Sequence, residues 1–184
     1  MVTIVAFVRL DAAQREQAAD ILRRALAHMP SAYATVEEAR AETARFDAED
    51  RVAFAALDGP DVRGWVGGIR DTYSHAWELH PLVVDPKHQR AGIGTALIGR
   101  LEECARAAGA LTLHLGTDDD FGGTNLFGDD LFPDPLTKLA SLAPASGHSF
   151  TFYRKQGWSV VGVLPNVNGR GKHDILMAKS FAGA

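Results

Sequence analysis

The order of apolar and polar residues along the chain predicts alternating strands and helices. Apolar segments with strand-like composition predict β-structure over residues 2–8, 51–57, 62–69, 76–84, 111–116, 158–164 and 174–179. Apolar residues at helical spacing predict helices after Asp11 and over residues 37–46, 95–108 and 150–156. The predicted class is therefore mixed α/β.

Residues that cap helices or form turns mark the ends of several predicted elements. Asp11 and Gln14 have the spacing of a capping box for the first helix, and Pro30 is expected to end that region. The Asp-Gly-Pro-Asp sequence at 58–61 predicts a hairpin turn. Gly109 suits the C-terminal end of the 95–108 helix.

The segment 117–148 differs from the rest of the chain in composition. It is rich in Gly, Asp and Pro and contains only a weak helical pattern over 136–142. Ordered loops of this length usually carry function. We therefore interpret this segment as a long functional excursion from the predicted sheet.

Length and charge exclude several classes of protein. With 184 residues the chain has the length of a single domain, predicted to cover residues 1–184. A net charge of −4 without a basic arm argues against a nucleic-acid partner, and the apolar segment 2–8 is too short to cross a membrane.

The cysteine and histidine residues give no sign of a disulfide or a metal site. Cys104 is the only cysteine, which favours a reducing compartment such as the cytoplasm, and it lies on the apolar face of the 95–108 helix as core filler. The seven histidines do not have metal-ligand spacing. We predict no metal.

A glycine-containing loop at 89–95 joins the 76–84 strand to the 95–108 helix. Gly92 and Gly94 allow a tight turn that brings backbone N–H groups against a ligand. The unpaired N–H groups and the dipole at a helix N-terminus favour an anion, and Lys87 and Arg90 would strengthen the positive field. The alternative is a plain turn from strand to helix. Walker A and dinucleotide fingerprints do not fit, because Thr95-Ala96 follows Gly94 and Leu97 replaces a third glycine.

Segments 78–86, 89–94 and 152–158 together resemble the GNAT superfamily of acyl-CoA-dependent N-acetyltransferases. The loop matches the superfamily signature Gln/Arg-x-x-Gly-x-Gly/Ala. This resemblance implies a GNAT acyl-CoA N-acyltransferase fold, with a twisted, mostly antiparallel sheet flanked by helices. It also implies acetyl-CoA as co-substrate, with its pyrophosphate on the loop amides. The residues implied at this cofactor site are Leu82, Val83, Val84, Gln89, Arg90, Ala91, Gly92, Ile93, Gly94 and Thr95.

Segments 78–84, 115–120 and 169–175 are similar to one branch of that superfamily, the aminoglycoside 6'-N-acetyltransferases. The resemblance implies acetylation of the 6'-amine of an aminoglycoside, with antibiotic resistance as the outcome, and a possible homodimer. The chain departs from the branch at Asp120, at Asn125 and Phe127 within 124–127, and at His173, where the branch commonly has proline.

Acetyl transfer to an amine requires a group that takes a proton and benefits from one that protonates the leaving sulfur. Strand alternation places Glu78 and His80 on the same face of the 76–84 strand, where either could take the ammonium proton. The resemblance indicates Glu78 as the base and Tyr153 as the acid. The alternatives are that Glu78 pairs with a cation, that His80 is a hydrogen-bonded core histidine, and that Tyr153 is a core aromatic residue.

A group of aspartates without an intervening Lys, Arg or His suggests a cationic small-molecule partner. They are Asp118, Asp119, Asp120, Asp129, Asp130 and Asp134. We expect Asp118 and Asp119, together with His80, to bind an ammonium-bearing acceptor. The alternative is a solvated acidic loop whose carboxylates cap turns. Other acceptors also remain open, such as a polyamine, an amino acid derivative or a protein N-terminus, as does a non-catalytic acyl-CoA-binding module.

Overall fold

The structure is a computed structural model that describes residues 2–29, 32–73 and 75–182. Its strands are β1 (Thr3–Ala6), β2 (Arg51–Asp58), β3 (Asp61–Arg70), β4 (Ala76–Val84), β5 (Thr112–Asp119), β6 (Ser159–Leu164) and β7 (His173–Ser180). Its helices are α1 (Ala12–Ala25), α2 (Val36–Ala44), α3 (Ile93–Ala107), α4 (Pro135–Leu139) and α5 (Phe150–Lys155). Short 3-10 turns follow β1, α2 and β4. The strands form one seven-stranded sheet in the order β1-β2-β3-β4-β5-β7-β6, so the predicted mixed α/β class is confirmed. Pro30 lies outside the described residues.

The chain divides into two compact units. One comprises Met1–Leu113 with Phe181–Ala184, and the other comprises His114–Ser180. Each unit has a cluster of buried apolar side chains of its own. That residues 1–184 form a single domain stays a prediction.

The first unit is built on antiparallel pairing of β1 with β2, β2 with β3, and β3 with β4. Trp65 stands opposite Ala55 on one side and Val83 on the other, and all three side chains are buried. The Trp65 indole Nε1–H donates to the Ala18 carbonyl of α1 at 3.0 Å, which satisfies its only polar group. This row therefore holds α1 against the sheet.

A β-bulge interrupts the pairing of β3 with β4. His80 and Pro81 of β4 both stand opposite the single residue Gly67. A Cβ at Gly67 would lie 2.3 Å from the His80 carbonyl oxygen and 2.3 Å from a ring carbon of Phe46, so only glycine fits there. Our sequence-based prediction has the bounds of β4 right but does not include the bulge.

Capping boxes begin both α1 and α2. The Asp11 carboxylate accepts from the Gln14 N–H at 2.8 Å, and the Gln14 side chain accepts from the Asp11 N–H at 3.2 Å, so this predicted box is confirmed. We did not predict the equivalent box of Thr35 and Glu38. Because of this box, α2 begins at Val36, one residue earlier than predicted.

The second unit has its own apolar core between a hairpin and the 117–148 segment. β6 and β7 pair antiparallel, with Val163 opposite Ile175. These two side chains pack with Leu126 and Leu131 from the long segment. The segment is therefore anchored to the hairpin by buried apolar contacts.

His173, where the chain departs from the aminoglycoside 6'-N-acetyltransferase pattern, connects two segments of the same unit by hydrogen bonds. Its ring is fully buried. Nδ1 accepts from the Asn166 N–H at 3.2 Å, so Nε2 carries the proton and donates to the Leu126 carbonyl at 3.1 Å. A proline at this position could make neither contact, so the departure has a structural role in this chain.

Candidate functional site

The loop between β4 and α3 turns through two left-handed residues. Arg90 and Gly92 have left-handed backbone conformations, with φ of 66° and 81°, and Gly92 is the N-cap residue of α3. The loop residues from Gln89 to Gly92 are exposed, whereas Ile93 is buried in the core. Helix α3 begins at Ile93, two residues before the predicted start, because the left-handed Gly92 already turns the chain into the helix.

The N-terminus of α3 has the features on which the predicted anion site depends. The first N–H groups of this 15-residue helix have no intrahelical partner, and the aligned peptide dipoles place partial positive charge there. Lys87 and Arg90 are exposed beside it. The arrangement can hold a phosphate or pyrophosphate.

An ion pair fixes the start of this loop to α1. Asp85 accepts two hydrogen bonds from Arg24, at 3.0 and 3.3 Å, and one from the Lys87 N–H at 3.0 Å. The hydrogen bond from Arg24 lowers the pKa of Asp85 from its usual 3.8 to about 2. Arg24 also pairs with Asp20 at 2.6 Å. The β4–α3 loop thus begins at a charge-paired carboxylate.

Glu78 and His80 lie on the same side of β4, ahead of the loop. The side chains at 78 and 80 are half-buried and alternate with buried neighbours. The Tyr33 hydroxyl contacts His80 Nε2 at 3.0 Å, and the charge of Glu78 contributes to the raised pKa of Tyr33. That pKa reaches about 12, mainly because the phenol is buried and next because Glu42 is negatively charged.

The structure corrects the predicted position of Asp118 and Asp119. β5 extends to Asp119, three residues beyond its predicted end, so both aspartates lie on the strand instead of following it. The Asp119 carboxylate is fully buried and accepts from Gly123 N–H at 2.7 Å, Thr124 N–H at 2.9 Å and the Thr124 hydroxyl at 2.6 Å. These bonds organise the turn after the strand, which corresponds to the turn-capping alternative.

Asp118 has a different environment from its neighbour. Its side chain is half-buried, and Oδ1 accepts from the side-chain amide of Asn168 in the β6–β7 connection. Asn168 was not predicted as a site residue. The remaining aspartates of the group divide, because Asp120 is buried while Asp129, Asp130 and Asp134 are exposed.

Tyr153 lies on α5, in an aromatic environment. Only 8% of its surface is exposed, and its ring contacts Trp158 and Phe152 at centroid distances of 5.6 and 5.3 Å. Burial raises the pKa of Tyr153 well above its usual value. The phenol therefore keeps its proton throughout the neutral range, as a proton donor must.

Several residues near the predicted site were missed because no local pattern indicates them. Tyr33 and Glu42 are 47 and 38 residues away from His80 along the chain, and Asn168 is 50 residues from Asp118. Arg24 reaches Asp85 over 61 residues. Within the described residues, no group of three or more His, Cys, Asp or Glu side chains could hold a metal ion. No helix among them is long and apolar enough to cross a membrane.

Comparison with known proteins identifies proteins to which the chain is similar. Residues 18–127 match the acetyltransferase (GNAT) family. The chain is similar to a crystal structure of an aminoglycoside 6'-N-acetyltransferase complexed with coenzyme A, with 35% identity, a TM-score of 0.87, and coverage of 99% of this chain and 98% of that chain. The aminoglycoside 6'-N-acetyltransferase from Enterococcus faecium gives 36% identity and the same score and coverage. An aminoglycoside 6'-acetyltransferase type Ii gives 31%, a TM-score of 0.75, and coverage of 99% of both chains. No curated protein matches the chain.

The chain belongs to the GNAT family of acetyltransferases, and the predicted family and fold are both confirmed. Its similarity to aminoglycoside 6'-N-acetyltransferases extends over nearly the full length of both chains.

Proposed function

We propose that this protein transfers the acetyl group of acetyl-CoA to the 6'-amine of an aminoglycoside, and thereby confers resistance to such antibiotics. The observation that carries this proposal is the full-length similarity, at 31–36% identity, to three aminoglycoside 6'-acetyltransferases, one of them complexed with coenzyme A. The N–H groups at the start of α3, which have no intrahelical partner, supply the phosphate-binding chemistry that this donor requires.

The donor is assigned to the end of β4 and the loop that follows it. The amides from Gly92 onward bind the pyrophosphate, and Lys87 and Arg90 add positive charge. Backbone groups of β4 hold the pantetheine arm. The proposed donor-binding residues are Leu82, Val83, Val84, Gln89, Arg90, Ala91, Gly92, Ile93, Gly94 and Thr95.

The reaction moves one acetyl group and two protons. The acceptor ammonium loses a proton toward Glu78, its nitrogen attacks the thioester carbonyl carbon, and the carbon–sulfur bond breaks. Tyr153 gives its proton to the departing sulfur, and the second proton that the acceptor nitrogen loses as the amide forms returns to the Tyr153 oxygen. Burial raises the pKa of Tyr153 above the usual phenol value of roughly 10, against roughly 8.5 for a thiol, so the phenol is a weak acid. A thiolate also leaves tolerably unaided, so this acid assists without being indispensable.

The acceptor is assigned to His80, Asp118 and Asp119 in different ways. Asp118 contacts an ammonium group directly, held by Asn168. Asp119 acts indirectly, because its carboxylate already accepts three hydrogen bonds from the turn at 123–124. The exposed aspartates at 129, 130 and 134 attract a polycationic acceptor at longer range.

Two further assignments rest on general properties of the chain. We place the protein in the cytoplasm because its single cysteine suits a reducing compartment. We propose a homodimer because exposed apolar residues of β6, Val161 and Leu164, lie on a strand at the end of the sheet order. Light scattering after size-exclusion chromatography tests the dimer, and a monomeric mass across the assay concentration range would contradict it.

Thiol release from acetyl-CoA across a panel of amines tests the activity. The panel contains aminoglycosides with a 6'-amine, a linear polyamine, amino acid amides and peptides with a free N-terminus. We expect the aminoglycosides to give the highest kcat/KM. A higher value for another amine would reassign the acceptor, and no release with any amine, together with a thermal shift by acetyl-CoA, would indicate a non-catalytic binding module.

A further inference from the structure

A chain of three side chains lies beside the proposed base Glu78 and has no role in the reaction as described so far. The Tyr33 hydroxyl lies 3.0 Å from His80 Nε2, and the same nitrogen lies 3.8 Å from Glu42 Oε1. Tyr33 is held in a left-handed backbone conformation, with φ of 45°. Such strain in a non-glycine residue persists only where the surroundings enforce it, and it is concentrated at functional sites.

Glu42 is a buried carboxylate with one oxygen still available for a partner. Its side chain is 7% exposed, and Oε2 pairs with Arg45 at 3.1 Å. Oε1 is buried and has no hydrogen-bond partner among the described residues, and the polar atom it faces is His80 Nε2. A buried carboxylate oxygen is costly unless it is paired, and an imidazolium would pair it.

The contacts of the His80 ring define one tautomer in which it can take up a proton. With its proton on Nε2, the ring donates to the Tyr33 hydroxyl oxygen and faces Glu42 Oε1, which leaves the lone pair of Nδ1 available. The raised pKa of Tyr33 keeps its hydroxyl neutral, so Tyr33 orients the ring without competing for charge. The other charges that act on Tyr33 are those of Glu78 on β4, Arg45 after α2, and Arg51 on β2.

We propose that His80 receives the proton lost by the acceptor ammonium, and that Glu42 and Tyr33 are positioning residues that act through it. This inference rests on the proposed function. The proton leaves the ammonium nitrogen, passes through Glu78 or water, and forms a new N–H bond at Nδ1. The Glu42 carboxylate stabilises the resulting positive ring, as in a carboxylate–histidine pair. Because 42% of the His80 side chain is exposed, the proton can then pass to solvent.

The test compares Glu42→Gln with Glu37→Gln, a matched control on an exposed position of the same helix. Each variant is assayed with an ammonium acceptor and with an aminooxy or hydrazide analogue whose amine is already neutral at the assay pH. We expect Glu42→Gln to lower kcat about tenfold for the ammonium acceptor, below the roughly 100-fold or greater effect of a full general base, and to leave the neutral acceptor nearly unchanged. Glu37→Gln should affect neither. Equal losses with both acceptors would show a merely structural role, and no loss would exclude any role.

Two further measurements cover misfolding and failure of the proposed function. Tyr33→Phe removes the hydroxyl but keeps the aromatic ring of residue 33. It should lower kcat severalfold for the ammonium acceptor and leave kcat for the neutral acceptor nearly unchanged. If the wild type acetylates no amine, the proposed function fails. The ¹⁵N NMR signals of the His80 imidazole then test whether Glu42 acts on the His80 ring. Those signals must move in Glu42→Gln and stay in place in Glu37→Gln, and identical spectra would overturn the inference.

Discussion

We propose that the β4–α3 loop binds one substrate of the reaction and that the 117–148 segment binds the other. Different interactions hold these two regions in their conformations. The loop depends on backbone conformation, because a left-handed Gly92 is the N-cap of α3, whose first N–H groups have no intrahelical partner. The long segment depends on side chains that bond to backbone groups far away in the sequence, such as His173, whose Nε2 donates to the Leu126 carbonyl 47 residues away. The first device is local in sequence, whereas the second is not.

This difference explains why the two regions are unequally visible in the sequence. A glycine before an amphipathic helix is a short-range signal with a definite mechanism. Aspartates in a loop are ambiguous, because a carboxylate can bind a cation or cap a turn. Asp119 caps a turn and Asp118 is left as the candidate cation ligand, although they are adjacent.

The largest predicted effect is a loss of stability from a substitution in the 117–148 segment. Asp119→Ala removes a fully buried carboxylate and leaves the N–H groups of Gly123 and Thr124 without their partner. Hydrogen bonds to a charged group contribute about 1.5–3 kcal/mol each and are not additive, so we expect a loss of about 3 kcal/mol in the free energy of unfolding. Urea unfolding measures it, with exposed Asp129→Ala as control and less than about 0.5 kcal/mol expected there. Similar values for the two variants would remove the structural role of Asp119.

A smaller effect is predicted on the donor side, from backbone strain alone. Gly92→Ala places a Cβ on a residue with φ of 81°, where there is space but the conformation costs about 1–2 kcal/mol. We expect the KM for acetyl-CoA to rise up to about tenfold, with little change for the acceptor. Gly99→Ala, in open space within α3, should instead stabilise the helix by up to about 1 kcal/mol. If both variants weakened acetyl-CoA binding equally, the left-handed N-cap would not be the cause.

Tyr153→Phe should lower turnover about tenfold without abolishing it, because the thiolate still leaves unaided. Rapid-quench measurement of a single turnover isolates the chemical step from product release. The buried phenol is surrounded by Trp158 and Phe152, so phenylalanine preserves the packing and the free energy of unfolding should change little. A single-turnover rate equal to that of the wild type would refute the acid role and leave Tyr153 as a core aromatic residue.

The smallest effect concerns the ion pair of Arg24 and Asp85 at the start of the β4–α3 loop. Because Arg24 lowers the pKa of Asp85 from 3.8 to about 2, the pair stabilises the fold above pH 4, and this contribution disappears as the pH falls through about 2. Arg24→Gln should therefore cost about 1 kcal/mol at pH 7, a value reduced by solvent screening of the partly exposed Arg24, with most of this cost lost by pH 2. Thermal unfolding across this range checks the sign, and a difference that persists unchanged at pH 2 would contradict it.

Much of the fold follows from local patterns, as β4 and the first capping box show. The predicted start of α3 was two residues too late, and the predicted end of β5 was three residues too early. A left-handed N-cap and an extended Asp118-Asp119 pair override the apolar periodicity at these two ends. Neither Tyr33 beside His80 nor Asn168 beside Asp118 could be predicted, since both contacts join residues about 50 positions apart. The roles proposed for Glu78, Tyr153, Asp118 and the loop residues stay predictions.

A matched pair of aminoglycosides, one with an amine and one with a hydroxyl at the 6' position, tests the central claim most directly. Each is incubated with acetyl-CoA and the protein, thiol release is followed, and the acetylated position is determined by mass spectrometry and NMR. We predict one equivalent of thiol with the acetyl group on the 6' nitrogen for the amine, and background release for the hydroxyl compound. Equal release with both compounds, or acetylation at another nitrogen, would contradict the proposed function.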